Sequence, residues 1–422
     1  MKTLAVIGLG YVGLPLAILS AKKRYNVIGI DIAKDKVEKV NKKISPIDDD
    51  SIKEGLKSVK ILAATDFSLV KGADIIAICV PTPVTKKHLP DMSFVENATK
   101  SITPYIKKGA LVILESTVHP GTTDEIMQPI LEKNNLKAGI DFYLAHCPER
   151  IDPGNKRWTI EKIPRVVGGI NGESTKKTAE FYRSIIDASV LELKSSKEAE
   201  ATKIMENAFR DINIAFMNEM AKSFDKQGID IIDVIKGAST KPFAFLPHYP
   251  GCGVGGHCIS VDPYYLIDNA KNYGFDHEFL LLARKINNSM PEYTVEILVH
   301  ELNKLGKSLK AARVAVLGLA YKGNVDDTRE SPAFEIIDLL KKKGALVTIY
   351  DPYLPNKSDV KTLNDAISKV EYVVLTTDHN EFKAMDLNLL KKNKIMLVVD
   401  GRNCLDKDKI EALGIKYKGI GR

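Results

Sequence analysis

The chain is poor in the features that mark secreted, membrane and fibrous proteins. Its 422 residues contain five cysteines (Cys79, Cys147, Cys252, Cys258 and Cys404), and no two form a CxxC pair. An odd, scattered set in a chain of this length argues against a disulfide framework and for reduced thiols in the cytoplasm. Tryptophan occurs once, and 28 Gly and 19 Pro are too dispersed for a collagenous or low-complexity chain. Long apolar runs are lacking as well: residues 4–21 are uncharged, but Gly8, Gly10, Gly13 and Pro15 interrupt them, against a signal peptide or membrane span. No block of like charge stands out. The net charge of +7 comes from Lys and Arg interleaved with acids, so neither a nucleic acid nor a membrane is the expected partner.

What remains is a soluble α/β composition long enough for two or three domains. Up to about residue 193, short β-branched runs (4–7, 27–30, 75–80, 111–114, 142–145) alternate with amphipathic stretches (12–22, 94–106, 123–134). That alternation is the pattern of a parallel sheet covered on both faces by helices. Residues 196–228 read as one long helix, followed by 230–236 and by a third helix over about 277–305. Between them lies a loop at 241–263, rich in Pro and Gly, and loops of that length in compact domains are usually functional. From Arg313 the alternation restarts, with strands at 314–317, 346–350, 372–376 and 395–399 and a helix at 332–343. The expected fold is therefore two Rossmann-like, doubly wound parallel-sheet domains joined by a helical centre with a long connecting helix.

Gly8-Leu9-Gly10-Tyr11-Val12-Gly13 follows the first strand and opens the first helix, and the second strand ends at Asp31, 18 positions after Gly13. This is the dinucleotide-binding spacing. Gly8 makes the tight turn, Gly10 admits a pyrophosphate to the backbone, Gly13 lets helix and strand pack, and Asp31 accepts ribose hydroxyls. An acid there with no arginine beside it favours NAD over NADP. A related phrase at 318–323 carries Ala320 where the middle glycine would be, and reads as no second pyrophosphate site.

The loop sequence GCGVGGHCISVDP (251–263) sets Cys258 behind a flexible glycine run and four residues before Asp262, a setting suited to a nucleophilic thiol. His257 either favours the thiolate or packs. A metal site from His248, Cys252, His257 and Cys258 matches no standard spacing, so no metal is expected. On the long helix, Lys203, Asn207 and Arg210 share one face, which alone would read as a solvated charged stripe.

Taken together, GLGYVG, VPTP (80–83), ESTVHPG (115–121), CPER (147–150), Lys203 with Asn207, GGHCISVDP, DTRESP (327–332) and DGR (400–402) resemble the UDP-glucose/GDP-mannose dehydrogenase family over essentially the whole chain. The stretches KPFAFLPHYPGCGVGG and CPERIDPGN are more similar to its UDP-N-acetylhexosamine branch, so UDP-N-acetylglucosamine is the expected substrate, with UDP-N-acetylmannosamine or UDP-glucose as alternatives. Cys252, where such relatives often carry Pro or an apolar residue, is a departure.

The resemblance implies an NAD-binding domain at 1–193, a central helical dimerisation domain with the catalytic loop at 194–306, and a UDP-sugar-binding domain at 307–422. It implies that Gly8, Gly10, Tyr11, Val12, Gly13, Asp31, Thr82, Thr117 and Arg329 contact NAD. Glu149, Arg150, Lys203, Asn207, Arg210, Tyr249, Gly255, Tyr321, Lys322 and Arg402 would contact the UDP-sugar. Catalysis would rest on Cys258 with Lys203, Asn207, Glu149, Asp262 and Thr117. The activity it implies is a four-electron oxidation of a C6 alcohol through an aldehyde and a Cys258 thioester, feeding surface polysaccharides, in a cytoplasmic homodimer. Two rival readings are a two-electron hydroxyacid dehydrogenase and a non-catalytic nucleotide sensor with a Cys252–Cys258 switch disulfide.

Overall fold

The computed structural model describes residues 1–47, 49–85, 89–151 and 157–422, which gather into two compact units: 1–206 with 264–276, and 207–263 with 277–422.

The first unit is built on an eight-stranded sheet: β1 (Thr3–Ile7), β2 (Asn26–Ile30), β3 (Leu62–Ala64), β4 (Ile75–Ile78), β5 (Leu111–Leu114), β6 (Tyr143–His146), β7 (Arg165–Gly169) and β8 (Val190–Glu192), in the order 3-2-1-4-5-6-7-8. Its first six positions have the doubly wound dinucleotide-fold order. Side chains alternate between two cores, because successive strand residues point to opposite faces. Leu4, Val6, Ile75 and Ala77 meet the helix Gly13–Lys22 on one face, and Ala5, Ile7, Ile76 and Ile78 meet Ser93–Ile102 on the other. One pairing is not parallel: β6 and β7 run antiparallel, with Ala145 opposite Gly169.

The second unit carries a fully parallel sheet of β9 (Arg313–Leu317), β10 (Leu346–Tyr350), β11 (Tyr372–Leu375), β12 (Leu397–Asp400) and β13 (Lys416–Gly419), in the order 10-9-11-12-13. One face packs on the helices Met290–Lys304 and Pro332–Lys342 and on Met217, Ala221, Ile231 and Ile235 of the helical centre. The other packs on Leu363, Ile367, Phe382 and Ile410.

The long helix is confirmed as Ser196–Gln227. Three expectations are corrected. The helix expected over 277–305 is two, Glu278–Asn288 and Met290–Lys304, because Pro291 cannot continue the hydrogen-bond ladder and instead opens a new first turn. The loop expected to run to residue 263 gives way to the helix Asp262–Lys271. The helix expected at 123–134 is a π-turn at Thr122–Met127 followed by the short helix Gln128–Leu131. Strands β3, β7, β8 and β13 had no counterpart in the sequence reading. Among the described residues, no helix is long and apolar enough to cross a membrane.

One buried carboxylate fixes the turn after β5. Glu200 on the long helix accepts the N–H of Gly121 (2.6 Å), the N–H of Thr123 (2.8 Å) and the Thr123 hydroxyl (2.6 Å). Burial pushes its pKa from 4.5 up to about 7, although these hydrogen bonds pull the other way. A raised folded-state value means that the stability linked to this proton is full below about 4.5 and is lost as pH rises through about 7. At pH 8 the loss amounts to as much as about 3 kcal/mol, at about 1.4 kcal/mol per unit. Denaturant melts of Glu200→Gln should show a flatter fall in stability between pH 5 and 8 than the wild type. Parallel curves would show that Glu200 does not titrate in this range.

Candidate active site

In the first unit, the sequence-selected residues outside the long helix all lie past the carboxyl ends of parallel strands: residues 8–13 after β1, Asp31 after β2, Thr82 after β4, Thr117 after β5, and Glu149 and Arg150 after β6. Open α/β sheets bind ligands at this edge. Gly8 has φ +95°, and its N–H donates to the Ile30 carbonyl at 2.7 Å. A Cβ on Gly13 would lie 1.9 Å from the Gly8 oxygen, so only glycine fits. Around Gly10 a Cβ would meet nothing within 4 Å, so the backbone there faces open space. Asp31 is buried, accepts the N–H groups of Leu9 (2.8 Å) and Ala33 (3.0 Å), and pairs with Lys36 at 2.7 Å. The sequence reading missed Lys36, whose one signal is a lysine in the first turn of the helix after Asp31. Tyr11 is exposed, Val12 and Thr117 are half-buried, and the carbonyl of buried Thr82 accepts the Tyr265 hydroxyl at 2.8 Å.

Glu149 is held on all sides. One oxygen accepts the N–H groups of Arg150 (2.6 Å) and Ile151 (2.7 Å), and the other lies 2.6 Å from Nη1 of Arg165, a fully buried arginine that the sequence reading also missed. Arg165 stacks over Tyr182, whose hydroxyl donates to buried Glu115. Burial pushes Glu115 up toward its neutral form, with Arg165 opposing. Arg150 forms a two-point ion pair with Glu206, its nearer contact at 2.6 Å. Residues 152–155 of the CPERIDPGN stretch lie outside the described residues. Lys203 is half-buried on the long helix.

The second unit holds the thiol. Of the five cysteines only Cys258 is exposed. Its carbonyl accepts the N–H groups of Val261 (3.1 Å) and Asp262 (2.8 Å), which puts it one turn ahead of the helix Asp262–Lys271. The positive end of a helix favours a thiolate over a thiol. Buried Asp262 accepts the amide of buried Asn207 at 2.5 Å. The glycines ahead of Cys258 lie against residues 321–330: a Cβ on Gly255 would be 2.6 Å from the Glu330 oxygen, and one on Gly256 would be 2.7 Å from the Tyr321 ring. Gly256 donates its N–H to the Arg329 carbonyl at 2.9 Å. Asp327 grips the Arg329 guanidinium at two points, the shorter 2.6 Å. At the loop's entry, Gly251 donates to Asn218, which donates in turn to Asn287 (2.9 Å each), and Asn287 and Arg284 each donate to buried Asp211 at 2.7 Å.

His257 is half-buried, and burial together with the charge of Arg329 holds it below its usual range. Cys252 is interior: its N–H donates to Gly401 (2.9 Å), its sulfur lies 3.5 Å from the Thr376 carbonyl, and burial pushes its thiol up. Among the described residues no three His, Cys, Asp or Glu side chains gather as metal ligands. Tyr321, Lys322, Gly255 and Arg402 are half-buried, while Arg210 and Tyr249 are exposed. Arg402 donates to the carbonyls of Thr376 (2.9 Å) and Tyr321 (3.3 Å).

Family models match residues 2–186 as the NAD binding domain, 197–289 as the central domain and 315–407 as the UDP binding domain of one family. The chain belongs to the UDP-glucose/GDP-mannose dehydrogenase family. It is 37% identical to the UDP-N-acetyl-D-mannosamine dehydrogenase of Pyrococcus horikoshii, over 99% of both chains. It is also 37% identical to the UDP-N-acetyl-D-glucosamine 6-dehydrogenase of Pseudomonas aeruginosa, over 96% of this chain and 97% of that protein. The solved structure of the UDP-D-ManNAc dehydrogenase from Pyrococcus horikoshii superposes with a TM-score of 0.94 at 36% identity, covering 100% of this chain and 99% of that one.

The protein is thus an NAD-dependent nucleotide-sugar dehydrogenase. The open space at Gly10, the left-handed Gly8 and the buried Asp31 fit a dinucleotide pyrophosphate and ribose. Exposure also separates the thiols. Native labelling with a chromogenic disulfide reagent should modify one thiol rapidly, and Cys258→Ser should abolish that phase, since burial raises Cys79, Cys147, Cys252 and Cys404. A rapid phase that persists in the variant would contradict the assignment.

Proposed function

We propose that this dehydrogenase oxidises the C6 hydroxymethyl of a UDP-N-acetylhexosamine to the carboxylate, with Cys258 as the covalent nucleophile. The observation that carries the reading is the one exposed thiol, set on a glycine-anchored loop ahead of a helix in the unit that also pairs Asn207 with Asp262. Within the chain we assign 1–193 to NAD binding, 194–306 to the catalytic loop and subunit contact, and 307–422 to the UDP group.

Oxidising an alcohol to a carboxylate removes four electrons as two hydrides, and bound NAD supplies the acceptor for each. Lys203, directly or through a water, takes the hydroxyl proton as the first hydride leaves C6. The Cys258 sulfur then bonds to the aldehyde carbon, and the oxygen takes up a proton to give a thiohemiacetal. Loss of that proton with a second hydride gives a thioester. Water adds to C6, the C–S bond breaks, and the thiol and carboxylate separate. Lys203 and Asn207 stabilise the oxyanions, a contribution of about 3 kcal/mol per well-placed donor. Glu149, with both oxygens engaged, suits the positioning of water better than the uptake of its proton. Thr117 lines the same strand edge. Tyr11, Val12, Thr82 and Arg329 serve NAD, and Arg150, Arg210, Tyr249, Gly255, Tyr321, Lys322 and Arg402 serve the UDP-sugar.

The manno epimer is the leading substrate, because the relative from Pyrococcus horikoshii bears that name and shares nearly the full length and fold. The gluco epimer expected from the loop sequence is the second reading, supported by equal identity to the Pseudomonas aeruginosa protein. An activated uronic acid suits supply to surface polysaccharide in the cytoplasm.

Counting NADH per sugar consumed, across a panel of UDP-hexoses and UDP-N-acetylhexosamines, should give two. One would favour a two-electron hydroxyacid-type reaction. Cys258→Ser should lower turnover by about a thousandfold or more. A variant that releases carboxylate at the wild-type rate would sink the covalent route.

The enzyme is also proposed to act as a homodimer or larger oligomer. Phe209 and Phe216, seven apart on the long helix and so on one face, are each about half exposed, at 49% and 51%. Light scattering on Phe216→Glu should give a monomer from a wild-type oligomer. A wild-type monomer would refute the proposal.

A further inference from the structure

The second unit repeats the geometry of the dinucleotide turn and then fills it from inside. At the first turn Gly8 (φ +95°) donates to the Ile30 carbonyl, and Leu9 donates to the Asp31 carboxylate at 2.8 Å. At the second, Gly318 (φ +104°) donates to the Tyr350 carbonyl at 2.8 Å, and Leu319 donates to the Asp351 carboxylate at 2.6 Å. Asp351 thus stands where Asp31 stands, at the end of the strand next to the first.

The surroundings of the two acids differ. Ala320, in place of Gly10, spends its N–H on Asp351 (3.0 Å) and its carbonyl on the Thr377 hydroxyl (2.6 Å), so its own backbone groups are both engaged within the unit. The same Asp351 oxygen also meets His379, with Nε2 at 3.0 Å and both side chains fully buried, while the other oxygen accepts the Tyr353 N–H at 2.8 Å. The other ring nitrogen, Nδ1, accepts the backbone N–H of Asn324 at 2.8 Å. An acceptor at Nδ1 fixes the tautomer: Nε2 carries the proton and donates it to Asp351. The ring stacks on Tyr353 at 4.9 Å and meets Phe382 edge-on.

Asn324 is the residue that needs holding. It adopts a left-handed φ of +63°, and its side-chain oxygen accepts the Asn380 N–H at 2.9 Å. The segment that it closes, 319–324, contains Tyr321 and Lys322, and Tyr321 also backs Gly256 of the cysteine loop.

We propose that His379 is a positioning residue of the UDP site: its imidazole, bridging Asp351 and the Asn324 backbone, locks the segment that presents Tyr321 and Lys322. This rests on the reading that Tyr321 and Lys322 hold the UDP-sugar.

Two variants separate the hydrogen bonds from the packing. His379→Phe keeps a ring against Tyr353 and removes both nitrogens. His379→Gln keeps one acceptor and one donor on an amide. Calorimetric titration with UDP, on the full-length enzyme, should show affinity about tenfold weaker in the Phe variant and within about threefold of wild type in the Gln variant. The KM for UDP-sugar should rise in the Phe variant, while kcat and the KM for NAD stay close to wild type. Lys322→Ala is titrated alongside. A loss in Lys322→Ala with none in His379→Phe overturns the positioning role alone. No loss in either overturns the assignment of the turn, and the positioning role with it. An equal loss in the Phe and Gln variants overturns the hydrogen-bond argument.

Discussion

The position of Cys258 depends on a close approach of two backbones that no side chain could permit. Gly255 and Gly256 lie so near Glu330 and Tyr321 that a methyl group on either would overlap, and the Gly256 N–H is already bonded to Arg329. The glycines are thus required by contact and not by flexibility alone. Because the loop is sewn to 321–330, the thiol is registered against the segment that carries Tyr321, Lys322 and Arg329, all within one compact unit. The buried polar chain from Asp211 through Asn287 and Asn218 to Gly251 fixes the loop's other end. Such anchoring fixes the orientation of a side chain, and orientation is much of what an enzyme supplies.

The two sheets show one design used twice with different outcomes. Both begin with a left-handed glycine whose following N–H caps an acid on the neighbouring strand. In the first, the turn stays open at Gly10. In the second, Ala320, Thr377 and His379 use up the groups that would meet a ligand there. The same backbone physics therefore gives a binding turn or a structural one, according to whether the chain itself satisfies the polar groups.

Much of this was legible in the sequence because it depends on local pattern. Alternating β-branched runs marked the central strands, which are buried on both faces, and the spacing from Gly13 to Asp31 marked the cofactor turn. Short edge strands were not legible: β3 is three residues long and β13 alternates lysines with its core residues, so neither shows an apolar run. Nor was Arg165, a lone cation in an apolar strand whose partners Glu149 and Glu115 lie distant in sequence and meet it only through sheet order. Ser289 and Pro291 did carry a break signal within the helix expected at 277–305, and the apolar period on either side outweighed it.

The buried cluster behind the Glu149 turn limits what that carboxylate can do. Two carboxylates and one guanidinium out of water would leave a net negative charge, a costly arrangement. Burial resolves it by pushing Glu115 toward its neutral form, against the pull of Arg165 and of the Tyr182 hydrogen bond, while burial also keeps the thiols of Cys79 and Cys147 protonated. One guanidinium then faces one carboxylate, and Arg165 is left to pin Glu149 from behind while two backbone N–H groups hold it from the front. A side chain so restrained cannot swing toward a proton.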